Sequence, residues 1–542
     1  MSSAEVLRAI KKIDKLGACI LAALVALAIG AAYAALHFGW FSSPWQLAAW
    51  AVVVVAFLAA GISSQGGQQG IAKSEWADRA DIEGAGIIET ASDQDGVYLG
   101  FFADRDGALT LRYKEGKHLL SFGVPGANKS TGLIVPNLAH LRRSIVVIDP
   151  KGELAAITAR KRASMGRLIV LNPFRLWVDE RPQLESAGWN PLLQLDPASP
   201  DFEGDAHCIA DALIDKAGAS GSGNSKFFEN SAENLAAALV MWERHSNGDN
   251  ASLANLRATV CAPNEYDADK RLRGGFLYTL AQMATCEHVA IANAGKRLAA
   301  RLLDTKSQST SAQDVIDTFM AATRFLDDPA VAGDMQKGDK IDFGALHREV
   351  TTIYLIPPVS ESDAQAKWLR LFVNIALRKL YRNAPTKPAL PPVLLMLDEF
   401  GNLGWLSQIN TALTVARGFR VQLWCFLQNL AQLKGNYKDR WQSFFTGAGA
   451  VTSFKTGDME TAEYLAKIYG NKPEYVMTQS ARGVSNTPQA IPLIRPEDIG
   501  RLPRGETISV IEPCAMPVRG CAPVYVETRY ADGLDPNPYH HG

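Results

Sequence analysis

Gly123-Val124-Pro125-Gly126-Ala127-Asn128-Lys129-Ser130-Thr131-Gly132 decides how the rest of the chain is read. The run follows a short apolar segment, Leu119–Phe122, and leads into Leu133-Ile134-Val135-Pro136. It matches the phosphate-loop pattern G-x-x-x-x-G-K-[ST] at Gly123, Lys129 and Ser130 and departs from it at Asn128. Small residues let successive backbone N–H groups curl around phosphates at a helix N-terminus. The lysine adds a positive charge, and the hydroxyl suits Mg2+. After glycine, asparagine is among the residues that best tolerate positive φ, so Asn128 should add strain on the order of 1 kcal/mol.

A second segment lies far downstream. Pro391-Pro392-Val393-Leu394-Leu395-Met396-Leu397-Asp398-Glu399 reads as an apolar strand ending in two adjacent carboxylates. A continuous hydrophobic run is what a parallel strand covered on both faces requires. Its C-terminal end is where α/β sheets place their ligands. There an Asp can hold Mg2+ and a neighbouring Glu can polarise an attacking water. Loop and strand together predict an Mg-ATP site, with the nucleotide contacts falling on Gly123 to Thr131 and the metal on Ser130 and Asp398.

Outward from this pair, strand and helix signals alternate, which argues a parallel sheet. Strands are expected at Val97–Phe102, Ala108–Tyr113, Ser144–Asp149, Arg167–Leu171, Val350–Ile356, Phe419–Leu427, Ala448–Lys455 and Thr507–Ile511, and a short helix at Trp76–Ile88. From Asp196 to about Gly338 the chain reads as helices instead, including Phe227–His245, Ala281–Leu303 and Ala312–Leu326. The expected organisation is an anchor over 1–70, a first part of the nucleotide-binding domain over 71–195, an all-α insertion over 196–338, and the second part with the tail over 339–542. Leu119–Asp149 and Val350–Ile511 would be halves of one interrupted sheet.

The N-terminus carries a membrane signal. Leu16 to Ala72 contains no Asp, Glu, Lys or Arg, and two stretches within it, 16–36 and 44–62, are long enough to cross a bilayer. Tyr33, Phe38, Trp40, Phe41 and Trp45 cluster between them, as interfacial aromatics do. Arg8, Lys11, Lys12 and Lys15 precede the first span, so both ends are expected in the cytoplasm. Elsewhere the composition is restrained. A net charge of −1 gives no global basic footprint for nucleic acid, and seven cysteines without a C-x-x-C pair argue against a disulfide framework or zinc site. Arg142-Arg143 and Arg160-Lys161-Arg162 are local basic clusters that solvated surface explains equally well.

Several further segments carry a resemblance. Asp149-Pro150-Lys151-Gly152-Glu153, Trp189-Asn190-Pro191-Leu192, Phe228-Glu229-Asn230-Ser231-Ala232, Leu397-Asp398-Glu399-Phe400, Gln428 and Arg495-Pro496-Glu497-Asp498-Ile499 resemble, in order and spacing, type IV secretion coupling proteins of the VirD/TraG class. The resemblance implies a RecA-like P-loop motor domain with an inserted all-α domain and two N-terminal transmembrane helices, anchored in the bacterial inner membrane. It also implies a ring, expected to be a hexamer, that hydrolyses ATP and passes substrates to the channel components of a type IV secretion system. The substrates would be relaxase-linked single-stranded DNA, effector proteins, or both.

Residue roles follow from the same resemblance. Lys129 would contact the β- and γ-phosphates, and Ser130 with Asp398 the Mg2+. Glu399 would orient the attacking water, and Gln428 would sense the γ-phosphate. Arg417, eleven residues before Gln428, would reach a neighbouring subunit's nucleotide. An arginine so placed stabilises charge that develops in the transition state. Two other readings compete: a non-hydrolysing receptor of the same fold, which Asn128 favours, and a related DNA-pumping motor.

Overall fold

Among the described residues the chain forms fifteen strands: β1 (Val97–Asp104), β2 (Gly107–Tyr113), β3 (His118–Phe122), β4 (Ile145–Ile148), β5 (Arg167–Leu171), β6 (Glu265–Tyr266), β7 (Leu272–Gly274), β8 (Thr351–Leu355), β9 (Val393–Leu397), β10 (Val421–Leu427), β11 (Ala448–Ser453), β12 (Asn471–Ser480), β13 (Gly483–Pro492), β14 (Glu506–Ile511) and β15 (Val518–Cys521). The structure, a computed structural model, describes residues 74–90, 96–214, 223–303, 310–338, 340–357, 362–480 and 483–539. The two expected membrane spans, 16–36 and 44–62, lie outside the described residues. No helix among the described residues is long and apolar enough to cross a membrane.

Eleven strands make one sheet in the order β2-β1-β15-β14-β11-β3-β10-β9-β4-β8-β5. The seven from β11 to β5 run parallel, as the alternation of strands and helices predicts. The other four correct that reading. β14, β15, β1 and β2 pair antiparallel along one side; within it β1–β2 and β14–β15 are joined by short connections, which allow no crossover helix. Both parts of the interrupted sheet do meet: β3 and β4 from the first part pair with β10 and β9 from the second.

The parallel strands are covered on both faces. In β9, Val393, Leu395 and Leu397 enter one apolar core while Leu394 and Met396 enter the other, the period of two that a pleated strand imposes. One core also takes in the helices of the insertion and the helix Ser362–Arg382. The other holds the segment after the phosphate loop and the helix Glu153–Ala163. The insertion departs from all-helical by the small hairpin β6–β7. The expected helix Ala281–Leu303 is two helices, Phe276–Ala284 and Val289–Leu303, divided at Thr285–His288. Ala312–Leu326 is Thr310–Ala322 followed by a 3-10 turn, Arg324–Asp327, and Trp76–Ile88 contains only one helical turn and a half, Arg79–Gly84.

The helix Phe202–Leu213 carries Asp205, which is 5% exposed and accepts hydrogen bonds from Arg378, Lys379 and Arg382 of the helix Ser362–Arg382. A buried carboxylate is tolerable because three cations surround it. The described parts of a separate unit, residues 473–480 and 483–490, belong to the two-stranded ribbon β12–β13.

Candidate nucleotide-binding site

Four adjacent parallel strands end at the same margin of the sheet, β3 and β10 two residues beyond β9 and β4. Phe122 of β3 lies beside Leu427 of β10, Cys425 of β10 beside Leu397 of β9, and Leu397 beside Ile148 of β4. The residues after each strand therefore emerge at one edge: Gly123 after β3, Gln428 after β10, Asp398-Glu399 after β9, and Asp149-Pro150-Lys151 after β4. A cavity of about 210 Å3 opens there.

The phosphate loop is built as its composition demands. Gly123 donates its N–H to the Leu427 carbonyl at 3.0 Å, and Val124 donates to Lys455 at 3.0 Å. A Cβ on Gly123 would come within 2.9 Å of the Phe454 Cβ, so only glycine fits. Gly126 (φ 78) and Asn128 (φ 74, ψ 18) both occupy left-handed backbone. Asn128 thus takes up the conformation that a glycine would supply, and its side chain accepts a hydrogen bond from Arg504 Nε at 2.8 Å. The chain then enters a π-helical turn, Lys129–Ile134, continued by the helix Val135–His140. Such turns concentrate at functional positions.

Pro125, Gly126, Asn128, Lys129, Ser130 and Thr131 line the cavity, as do Asp398 and Glu399. Gly123, Val124 and Ala127 shape the loop without lining it. Lys129 is 7% exposed, and its ammonium donates to the carbonyls of Gly123 and of Val124, the latter at 3.1 Å. Burial lowers its pKa, while the nearby charges of Asp398 and Glu399 oppose the shift. Ser130 Oγ donates to Asp398 Oδ2 at 3.0 Å, which joins the two expected metal ligands across 268 residues.

Asp398 borders the cavity, yet its carboxyl is enclosed enough that burial pushes its pKa up to about 6; Glu399 adds to the shift, while Lys129 and Ser130 oppose it. An enclosed carboxylate and a serine hydroxyl in contact, with a second carboxylate next door, are a fitting donor set for a hard divalent cation. Glu399 occupies left-handed backbone (φ 52, ψ 39), and Gln428 Nε2 donates to its Oε2 at 2.9 Å. Gln428 therefore reaches the site through Glu399. Arg417 lies in the 3-10 turn Ala416–Phe419 ahead of β10, and its side chain lies outside the described residues.

Three further residues of the lining had no role assigned from sequence. Asp149 is 2% exposed, accepts from the Ala155 N–H at 2.8 Å, and has its pKa pushed up to about 7, chiefly by burial. Lys151 adds a second cation, and its carbonyl accepts from Trp177 Nε1 at 3.0 Å. Both belong to a motif visible at the end of a predicted strand. Arg504 had no local signal.

The basic clusters resolve differently. Arg162 is fully buried and donates to Thr352 Oγ1 at 2.7 Å and to the carbonyls of Leu141 and Arg143. Arg143 is also buried, donating to the Pro392 carbonyl. These two arginines brace the sheet and offer nothing to nucleic acid.

The sequence pattern of a family described as type IV secretory system conjugative DNA transfer matches residues 68–531. The chain belongs to that family. Within it, the chain is similar to the conjugal transfer protein TraG of Escherichia coli, 25% identical over 468 residues that cover 79% of this chain and 71% of that one. It is also similar to VirD4 of Agrobacterium fabrum, 24% identical over 453 residues, covering 81% and 63%. Among solved structures it shares the fold of the plasmid coupling protein TrwB in complex with ADP and Mg2+. The TM-score is 0.55 at 15% identity, over 83% of this chain and 94% of that one. A large mixed α/β sheet is thus the fold that this chain shares with TrwB.

Proposed function

We propose that this coupling protein is an ATP-driven motor that recruits substrates and passes them to a type IV secretion channel. The observation that carries the reading is the convergence of Lys129, Ser130, Asp398 and Glu399 on one cavity, from strands far apart in sequence. Lys129, freed from the Gly123 and Val124 carbonyls, binds the terminal phosphates of ATP. Ser130 and Asp398 hold Mg2+. Once bound, Mg2+ would offset negative charge building on the phosphates. Glu399 accepts a proton from the attacking water, and its bond to Gln428 fixes the direction from which it does so. Arg417 serves the site of a neighbouring subunit in a ring of six.

Residues 1–70 anchor the chain in the inner membrane, and single-stranded DNA bound to a relaxase, effector proteins, or both are the cargo. Asn128, on which a non-hydrolysing receptor would rest, occupies the backbone region a glycine would, and it leaves Lys129 and Ser130 in the cavity. That favours the hydrolysing reading.

The test compares the full chain with two variants. Lys129→Ala should abolish ATP binding. Glu399→Gln should bind ATP but hydrolyse it roughly 10²- to 10⁴-fold more slowly, the usual range for losing a general base. Material that co-purifies with Glu399→Gln would identify the cargo as DNA or protein. If Lys129→Ala binds and hydrolyses ATP like the wild type, the motor reading is wrong.

A further inference from the structure

We propose that Arg504 binds a phosphate of the nucleotide and that Asn128 is the residue that orients it; this rests on the nucleotide reading of the site. Arg504 sits in the turn before β14, 376 residues from Asn128 in sequence, and lines the same cavity as Lys129 and Lys151. Its Nε is committed to Asn128 Oδ1 at 2.8 Å. The two terminal guanidinium nitrogens have no hydrogen-bond partner among the described residues. A guanidinium held by Nε alone presents its remaining donors as a planar fork, the geometry that suits a phosphate and that a lysine cannot supply.

The turn that carries Arg504 is pinned to the phosphate loop. Gly505 adopts φ +83, and a Cβ there would lie 3.3 Å from both Asn128 Nδ2 and the Ala522 carbonyl oxygen. Ala522 donates its N–H to the Gly505 carbonyl at 2.7 Å. The Ala522 carbonyl, in turn, lies where a Cβ on Gly132 would come within 2.5 Å, so that strand end packs directly on the turn following Lys129. The arginine is therefore presented to the loop by rigid backbone. Its last degree of freedom, the direction of the guanidinium, is set by Asn128. A glycine at 128 would provide no acceptor. The residue that departs from the phosphate-loop pattern thus brings one more cation to a cavity whose lining also holds Asp149, Glu153, Asp398 and Glu399.

Arg504→Gln separates phosphate binding from mere bracing. The glutamine Nε2 stands at the same chain depth as the arginine Nε and can keep the bond to Asn128, but it lacks the charged fork. The measurement is calorimetric titration of the full-length chain with Mg2+ and a non-hydrolysable ATP analogue. Arg504→Gln should weaken binding about tenfold, as loss of one charge-assisted hydrogen bond does. Arg504→Lys should recover part of the loss, and the thermal midpoint without nucleotide should stay unchanged. In an Asn128→Gly background the effect of Arg504→Gln should shrink to about threefold or less.

Wild-type affinity in Arg504→Gln, with Lys129→Ala still abolishing binding, would overturn the proposal while leaving the nucleotide site intact. An equal loss in both backgrounds would overturn the part assigned to Asn128. Wild-type affinity in Lys129→Ala would remove the nucleotide reading and this proposal together.

Discussion

If Asp398 holds Mg2+ from an enclosed position, nucleotide affinity should depend on pH where an ordinary carboxylate would leave it flat. With a pKa of about 6, Asp398 is protonated in most molecules at pH 5 and in few at pH 7. Only the ionised form is a ligand, so Mg2+-dependent affinity should fall about tenfold from pH 7 to pH 5, one decade per unit below the pKa. A carboxylate at its usual value near 4 would lose less than about a tenth of its affinity over that range. The nucleotide's terminal phosphate also titrates near 6, so absolute affinities are not decisive. The useful quantity is the ratio of wild-type to Asp398→Asn affinity for Mg2+ and a non-hydrolysable analogue, measured by calorimetry at half-unit steps. The phosphate contribution cancels in that ratio. It should rise about tenfold between pH 5 and pH 7 and then level off. A ratio that stays constant across the range would refute the argument that Asp398 is both the enclosed acid and the metal ligand.

Asp149 gives a stability counterpart. Its folded pKa is raised to about 7, so its contribution to stability is fully present below its ordinary value near 4 and lost as pH rises through 7. Without nucleotide, the thermal midpoint of the wild type relative to that of Asp149→Asn should therefore fall between about pH 4 and pH 7 and level off above. For Arg417, replacement by alanine should leave ATP binding intact and slow hydrolysis by roughly 10³-fold or more. Mixing with Lys129→Ala subunits should restore part of the rate, and no rescue at any ratio would count against a role across the subunit boundary. Cysteines at Ser42 or Ser43 should be labelled from outside intact cells and one at Ser74 should not. The reverse pattern would overturn the proposed topology.

The parts of the fold that were legible in the sequence are those where one physical requirement dominates. Val393–Leu397 and Val421–Leu427 are apolar at nearly every position because both sheet faces are covered, and both form central strands. The phosphate loop was legible because few residues tolerate its backbone. β15 was missed: Val518-Arg-Gly-Cys is short and mixed, and it forms only because β14 and β1 are there to pair with it. The break at Thr285–His288 carries no glycine or proline, so nothing local announces it.

Charge misled in the opposite sense. Arg143 and Arg162 sit in basic runs, yet both are core residues whose guanidinium groups satisfy backbone carbonyls at strand and helix ends. Within the site, Lys129, Ser130, Asp398, Glu399 and Gln428 could each be placed from the segment around them. Arg504 could not, because its partner lies 376 residues away and a long-range pairing leaves no local trace.

The helical insertion leaves the sheet from β5 and returns to it at β8, and these strands are neighbours, with Ile169 beside Ile353. Because the pair is parallel, the exit after Leu171 and the return at Thr351 lie at its opposite ends, on the far side of β4 from the strand that carries Asp398 and Glu399; the insertion is closed instead where Trp189 donates its N–H to the Asp334 carbonyl at 3.2 Å. A cassette joined this way can be exchanged between relatives without rethreading the motor. A chimaera that swaps residues 196–338 would keep every residue of the phosphate loop and both carboxylates. It would have to carry Asp201 and Asp205, because Arg378, Lys379 and Arg382 on the recipient helix would otherwise face one another with no anion between them. Two aspartates and the apolar core that the insertion shares with the sheet are thus the compatibility requirements for such an exchange.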